Sequence, residues 1–171
     1  FINGKKRKEA FGEMGFTDYG VTGPVILTLS GDAVDALHHK ESVTIAIDLK
    51  PALDDRKLDA RLLRDFASRG TEPFGSLLRG LLPQAMVPVC LDLTEISPER
   101  TANTITVKER RRLRSWLKDF RLEVFRHRPL AEAIVTAGGI NTKELDPRTM
   151  ASHRTKGLFM AGELLDIQAD T

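Results

Sequence analysis

The 171-residue chain holds a single cysteine, Cys90, which excludes an internal disulfide framework and a cysteine-built metal centre. Charge of one sign is also missing: 26 Lys and Arg stand against 24 Asp and Glu, so no whole-chain field argues for a nucleic-acid or membrane partner. No apolar run approaches the roughly 18 residues that a membrane-spanning helix needs, and no internal repeat or low-complexity tract interrupts the chain. The four histidines, His38, His39, His127 and His153, have no ligand spacing with Cys90 or with a carboxylate pair, so no metal is expected. Most informative is the lack of a strand, G-x-G-x-x-G and helix unit, which would hold the adenine half of a dinucleotide.

What is present looks like the other half. Gly157-Leu158-Phe159-Met160-Ala161-Gly162-Glu163-Leu164-Leu165-Asp166 is a short apolar run closed by a glycine and an acid. Many flavoproteins end in this way the strand that meets the ribityl chain and pyrophosphate. Gly162 would let backbone approach a ligand closely, and Glu163 would accept a hydrogen bond from a sugar-like hydroxyl. Asp166 is a weaker candidate, because it equally suits the cap of a following helix. With Phe1 at its start and half of a site at its end, the chain is expected to be a piece of an enzyme. A hydrophobic fraction of 41% suffices for a real core, and one thiol fits a reducing, cytoplasmic setting.

Pattern along the chain runs β, helix, β. Glu13 to Tyr19 reads as a strand interrupted at Gly20-Val21-Thr22-Gly23-Pro24, after which Pro24 starts a buried helical turn through Leu29 that Gly31 stops. Val43 to Leu49 has the period of a half-buried strand. From Asp54 the period becomes helical, with Leu58, Leu62, Leu63 and Phe66 in one apolar set and Leu77, Leu78, Leu81 and Leu82 in the next. Thr106-Val107-Lys108-Glu109 predicts a capping box opening a helix to about Asp119. Strands return at Leu122, Val124 and Phe125, and at Ala133 to Ala137, ended by Gly138-Gly139. The fold class is therefore α+β, with a helical subdomain inserted into a β domain.

Four stretches in order resemble the BaiN/YhiN-like family of NAD(P)/FAD-dependent oxidoreductases. They are Phe16-Thr17-Asp18-Tyr19-Gly20-Val21-Thr22-Gly23-Pro24, Val135-Thr136-Ala137-Gly138-Gly139-Ile140, Asp146-Pro147-Arg148-Thr149-Met150 and Gly157 to Asp166. The resemblance implies a β-barrel-like domain over 1–50 and 120–145, a helical insert over 51–119, and a return segment over 146–171 into a Rossmann-type FAD domain. It further implies FAD and NAD(P)H as cofactors, a small-molecule substrate, and the rest of the parent flavoprotein as partner. Thr136, Gly138 and Gly139 would then line the substrate side of the flavin, alongside Gly162, Glu163 and Asp166 on the cofactor. The family often carries His where Asp18 stands, so no catalytic residue is assigned. A partner-binding or scaffold module is the alternative.

The basic runs Lys5-Lys6-Arg7-Lys8 and Arg110-Arg111-Arg112 read as solvated faces, since the second shares its helix with apolar Leu113, Trp116 and Leu117. Neither a nucleic-acid nor a membrane partner is expected. Cys90 is expected to be a small buried apolar residue.

Overall fold

The computed structural model describes residues 1–133 and 136–167. It divides into two compact units, one formed by 1–43 with 124–171 and the other by 44–123.

In the first unit, β1 (Gly15–Thr17) and β2 (Gly20–Thr22) make an antiparallel hairpin with Phe16 opposite Val21. The predicted single strand across Glu13 to Tyr19 is thus corrected. Asp18 and Tyr19 form the turn, closed by the Thr17 hydroxyl on the Gly20 carbonyl at 3.2 Å, and Gly20 opens the second strand rather than ending the first. Helix α1 (Pro24–His38) starts at the predicted proline but runs through Gly31. One glycine in a helix interior costs only about 1 kcal/mol, less than the apolar spacing that continues to buried Ala36 returns. The helix ends instead at His38, and Lys40, with a φ of 59°, turns the chain back so that the Glu41 amide donates to the Ala36 carbonyl.

The second unit holds β3 (Val43–Ile47) and β4 (Phe120–Val124), apart from their end residues Val43 and Val124, and the two strands form a two-stranded sheet. Between them lie α2 (Asp55–Ser68), α3 (Phe74–Leu78), α4 (Met86–Thr94) and α5 (Val107–Lys118). Asp54 caps α2 by accepting the Lys57 amide at 2.8 Å. Thr106 and Glu109 form the predicted capping box on α5. Leu58 and Leu62 of α2, Phe74, Leu77 and Leu78 of α3, Cys90 of α4, and Leu113 and Leu117 of α5 are fully buried. Leu63 is not part of that set and is 46% exposed, because it lies about 100° around the helix from Leu62, off the line of Leu58, Leu62 and Phe66. Phe125 falls beyond β4 and is exposed, correcting its place in that strand. Of the Ala133 to Ala137 strand, Ile134 and Val135 lie outside the described residues, and Thr136 and Ala137 are not in a strand.

The chain is mixed α/β as expected, but the described residues hold no closed barrel. Their four strands are three to five residues long and form two separate two-stranded sheets, which leaves no continuous ladder to close.

Burial is uneven. Among the described residues, eighteen of the 22 buried apolar side chains belong to 44–123, and Ala36, Val43, Leu145 and Leu165 to the other unit. Among large exposed apolar residues the proportion reverses, with Phe11, Phe16, Tyr19, Leu27, Phe125, Leu130, Leu158, Phe159, Leu164 and Ile167 all in the first unit.

Candidate functional site

The glycine pair and the Gly-Glu bend lie far apart in the sequence and meet in the fold. Ile140 forms a parallel bridge with Leu165. Its amide donates to the Leu164 carbonyl at 2.8 Å, and its carbonyl accepts the Asp166 amide at 3.0 Å. Gly139 makes this clasp possible. Its φ is +148°, and a Cβ there would stand 2.6 Å from the Leu164 oxygen and 2.9 Å from the Asp166 nitrogen, both backbone atoms that have no room to yield.

Gly162 serves the opposite purpose. It opens a 3-10 turn over Gly162–Leu164 with φ +79°, and nothing lies within 4 Å of the place its Cβ would take. The space over its Cα is therefore open to a ligand. Glu163 and Asp166 are exposed on either side of buried Leu165, so the buried leucine anchors a bend that presents two carboxylates outward. The run before Gly162, read from the sequence as a strand end, is instead held by an isolated bridge between Ala151 and Phe159.

Of the predicted site residues, Gly138 and Gly139 thus arrive beside Leu164 to Asp166, next to Gly162 and Glu163. Thr136 is exposed, and no contact in the structure carries it to Glu163. The pairing of the two segments was missed in the sequence, since nothing local to either names its partner.

Asp146 has a structural duty. Its carboxylate accepts the amides of Arg148 at 2.8 Å and Thr149 at 3.1 Å, and these bonds hold its pKa below the usual aspartate value. The turn it fixes brings Met150 round to accept the Met160 amide at 3.0 Å. Behind this turn, Thr142, Leu145, Pro147, Met150, Leu165 and Ile167 line an apolar cavity of about 190 Å³.

The sequence reads the α5 basic run as a solvated face, but Arg110 and Arg112 are half-buried and ion-paired, whereas the expectation of a buried Cys90 is met. Arg110 and Arg114 both reach Asp59, at 3.1 and 3.2 Å, Arg114 also reaches Asp55 at 3.2 Å, and Arg112 reaches Glu95 at 3.0 Å, so most of the α5 basic run is spent on neighbouring acids. Cys90 is buried, and burial pushes its thiol up to about 12. Among the described residues no cluster of His, Cys, Asp and Glu has the arrangement of a metal site, and no helix is long and apolar enough to cross a membrane.

As a cofactor edge the arrangement fits the hydroxyl-bearing part of a dinucleotide. It offers an open glycine, two outward carboxylates and a backbone held rigid behind them. The described residues supply no cradle of successive amides for the pyrophosphate.

The family model for the HI0933-like protein barrel and H2TH domain matches residues 1–135. Three curated proteins are similar over most of the chain. A 3-dehydro-bile acid delta(4,6)-reductase of Clostridium scindens is 25% identical over 160 residues, covering 94% of this chain and 39% of its own length. A ribosomal RNA dihydrouridine synthase of Escherichia coli is 28% identical over 152 residues, covering 89% and 36%. The ribosomal RNA dihydrouridine synthase of Haemophilus influenzae is 24% identical over 160 residues, covering 94% and 37%. The chain spans little more than a third of the length of these relatives.

Proposed function

The chain belongs to the HI0933-like family, a family of flavoprotein oxidoreductases, through its barrel and H2TH domain, and from that membership we propose that it forms the flavin-covering part of a longer FAD-dependent enzyme. The observation that carries this reading is the clasp of Ile140 on Leu164 to Asp166, which sets Gly162 and Glu163 on a rigid edge. FAD, when bound, supplies the hydride chemistry, and NAD(P)H would re-reduce it.

Within the site, Gly162 admits the ribityl chain, Glu163 accepts one of its hydroxyls, and Asp166 offers a second acceptor. The Gly138 and Gly139 amides and the Thr136 hydroxyl face the substrate side, where they can hold a developing oxyanion. The names of the relatives suggest the reaction class. A bile acid's delta(4,6) dienone and the uracil ring of uridine each carry a carbon–carbon double bond conjugated to a carbonyl. Adding hydride at the far carbon drives charge onto that carbonyl oxygen, the place where amide donors help most. We assign this chain the same reaction class, in the cytoplasm.

The rest of the parent enzyme is its first partner. Among its described residues, the unit formed by 1–43 and 124–171 buries four apolar side chains and exposes ten large ones, a balance that calls for a covering surface. On this reading 1–50 with 120–145 is the barrel part, 51–119 the helical insert, and 146–171 the segment returning to a Rossmann-type FAD domain. The alternative of a partner-binding module finds support in Val89 and Leu93, exposed four residues apart on α4.

Glu163→Ala in the full-length parent tests the cofactor assignment. A hydrogen bond to a charged group contributes about 1.5 to 3 kcal/mol, so FAD affinity should fall about tenfold to hundredfold while the apoprotein melts unchanged. Equal dissociation constants by flavin fluorescence would remove Glu163 from the site.

A further inference from the structure

Lys50 and Lys118 are the two lysines that are not exposed among the described residues, and the fold treats them in opposite ways. Lys118 is fully engaged. Its ammonium donates to the Asp48 carboxylate at 2.5 Å and to the carbonyls of Leu53 at 2.7 Å and Lys50 at 3.3 Å. Lys50 lies half-buried in the loop between β3 and α2, and its ammonium has neither an acid nor a carbonyl partner among the described residues. The acids of this loop are already taken. Asp48 receives the Lys50 amide at 2.9 Å besides Lys118, and Asp54 receives the Lys57 amide at 2.8 Å and the Lys57 ammonium at 3.6 Å. Beside the Lys50 amine stands a second cation, Arg61 of α2. Asp65 approaches Arg61 only at Nε, at 3.7 Å, which leaves the two terminal guanidinium nitrogens without an acceptor among the described residues. Burial, with Arg61 adding to it, holds the Lys50 amine below the usual lysine range.

We propose that Lys50 is a carbon dioxide site, where its amine adds CO2 to form a carbamate that pairs with Arg61. The amine lone pair forms a bond to the carbon of CO2, one carbon–oxygen π pair moves onto oxygen, and the nitrogen releases a proton to solvent. No oxidant, reductant or leaving group takes part. Three features favour this chemistry over simple solvation of a cation. A desolvated lysine beside another cation keeps part of its population as the free base, which is the nucleophile. A half-buried nitrogen is reached more easily by a small neutral molecule than by a bulky acyl donor. The product also reverses the local charge. A carbamate offers two oxygens to the unused guanidinium nitrogens of Arg61, as a carboxylate does, whereas the neutral amide left by acylation would give that cation no counter-charge. The carbamate thereby fastens the loop after β3 to α2, so that dissolved CO2 sets how firmly the loop is held. The inference is independent of the flavin reading.

The test is chemical trapping in the 171-residue chain. The protein is equilibrated with isotope-labelled bicarbonate and dissolved CO2 near neutral pH, carbamates are alkylated with a trialkyloxonium reagent, and the digest is mapped by mass spectrometry. Lys50 should carry more trapped label than any exposed lysine, Lys57 included, and Lys50→Arg should remove the label from that peptide alone. Arg61→Gln should lower the Lys50 label about tenfold, the loss of one hydrogen bond between charged groups. Equal melting curves establish that each variant keeps the fold. Should Arg61→Gln melt early, the distribution of label over the wild-type lysines still decides. Absence of label at Lys50, label spread evenly over the exposed lysines, or a folded Arg61→Gln labelled at the wild-type level each overturns the proposal.

Discussion

Arg110 and Asp59 join α5 to α2 across 51 residues of sequence, with Nε 3.1 Å from the carboxylate. The same carboxylate receives Arg114 one helical turn later, so a single aspartate is shared by two of the cations that give the helix its basic look.

Asp59→Ala should therefore destabilise the helical unit by about 1–3 kcal/mol, more than an exposed pair and less than a fully buried one. Both arginines would keep their mostly sheltered positions with one acid fewer. Chemical denaturation of wild type and variant measures the change, and a shift below about 0.5 kcal/mol would place the pair among ordinary surface contacts.

Gly139→Ala should disrupt the clasp, because the new Cβ would meet the Leu164 oxygen at 2.6 Å. Gly138→Ala meets no atom within 4 Å and should carry only the strain of a φ of +106°, about 1 kcal/mol. Amide exchange at Ile140 and Asp166 separates the two. Their protection should be lost in the first variant and mostly kept in the second.

Acid should weaken the start of α5. The Glu109 carboxylate accepts the Thr106 hydroxyl at 2.7 Å and the Thr106 amide at 2.8 Å, with Arg100 alongside, and these partners hold its pKa below 4.5. The folded value is the lower one, so this stabilisation is complete above 4.5 and is lost as pH falls through the folded value. Thr106→Ala should cost about 1 kcal/mol at neutral pH. It should cost less at low pH, and a pH-independent difference between the two denaturation curves would contradict the capping assignment.

Cys90 should resist a thiol reagent in the folded protein, since the nucleophilic thiolate is scarce when burial pushes the thiol up to about 12. Its full reactivity should appear only with denaturant. Rapid labelling of the native chain would show that α4 opens readily.

The capping box and the buried leucines were legible in the sequence because both depend on residues three or four apart. Thr106 and Glu109 need no distant partner to act, and Leu58, Leu62 and Phe66 declare a face by spacing alone. Gly20 and Gly31 misled for a shared reason. Glycine is a local breaker, yet Gly20 is paired with Thr17 in the hairpin and Gly31 is carried by a helix whose later turns are anchored at Ala36. The candidate site was half legible: Gly162 and Glu163 stood out, but their meeting with Gly139 joins segments that no periodicity connects.

Lys118 sets an order of events. Its ammonium ties the end of α5 to the Asp48 carboxylate at 2.5 Å and to the Leu53 carbonyl at 2.7 Å, closing a loop of 65 to 70 residues. Closing such a span in an unstructured chain costs roughly 4 kcal/mol in entropy, before any contact rewards it. Helices form within microseconds, and docking α2 on α5 shortens the path that remains. The β3–β4 pairing and its lysine fastening should accordingly lock last, which makes the helices the nucleus on which refolding of this unit depends.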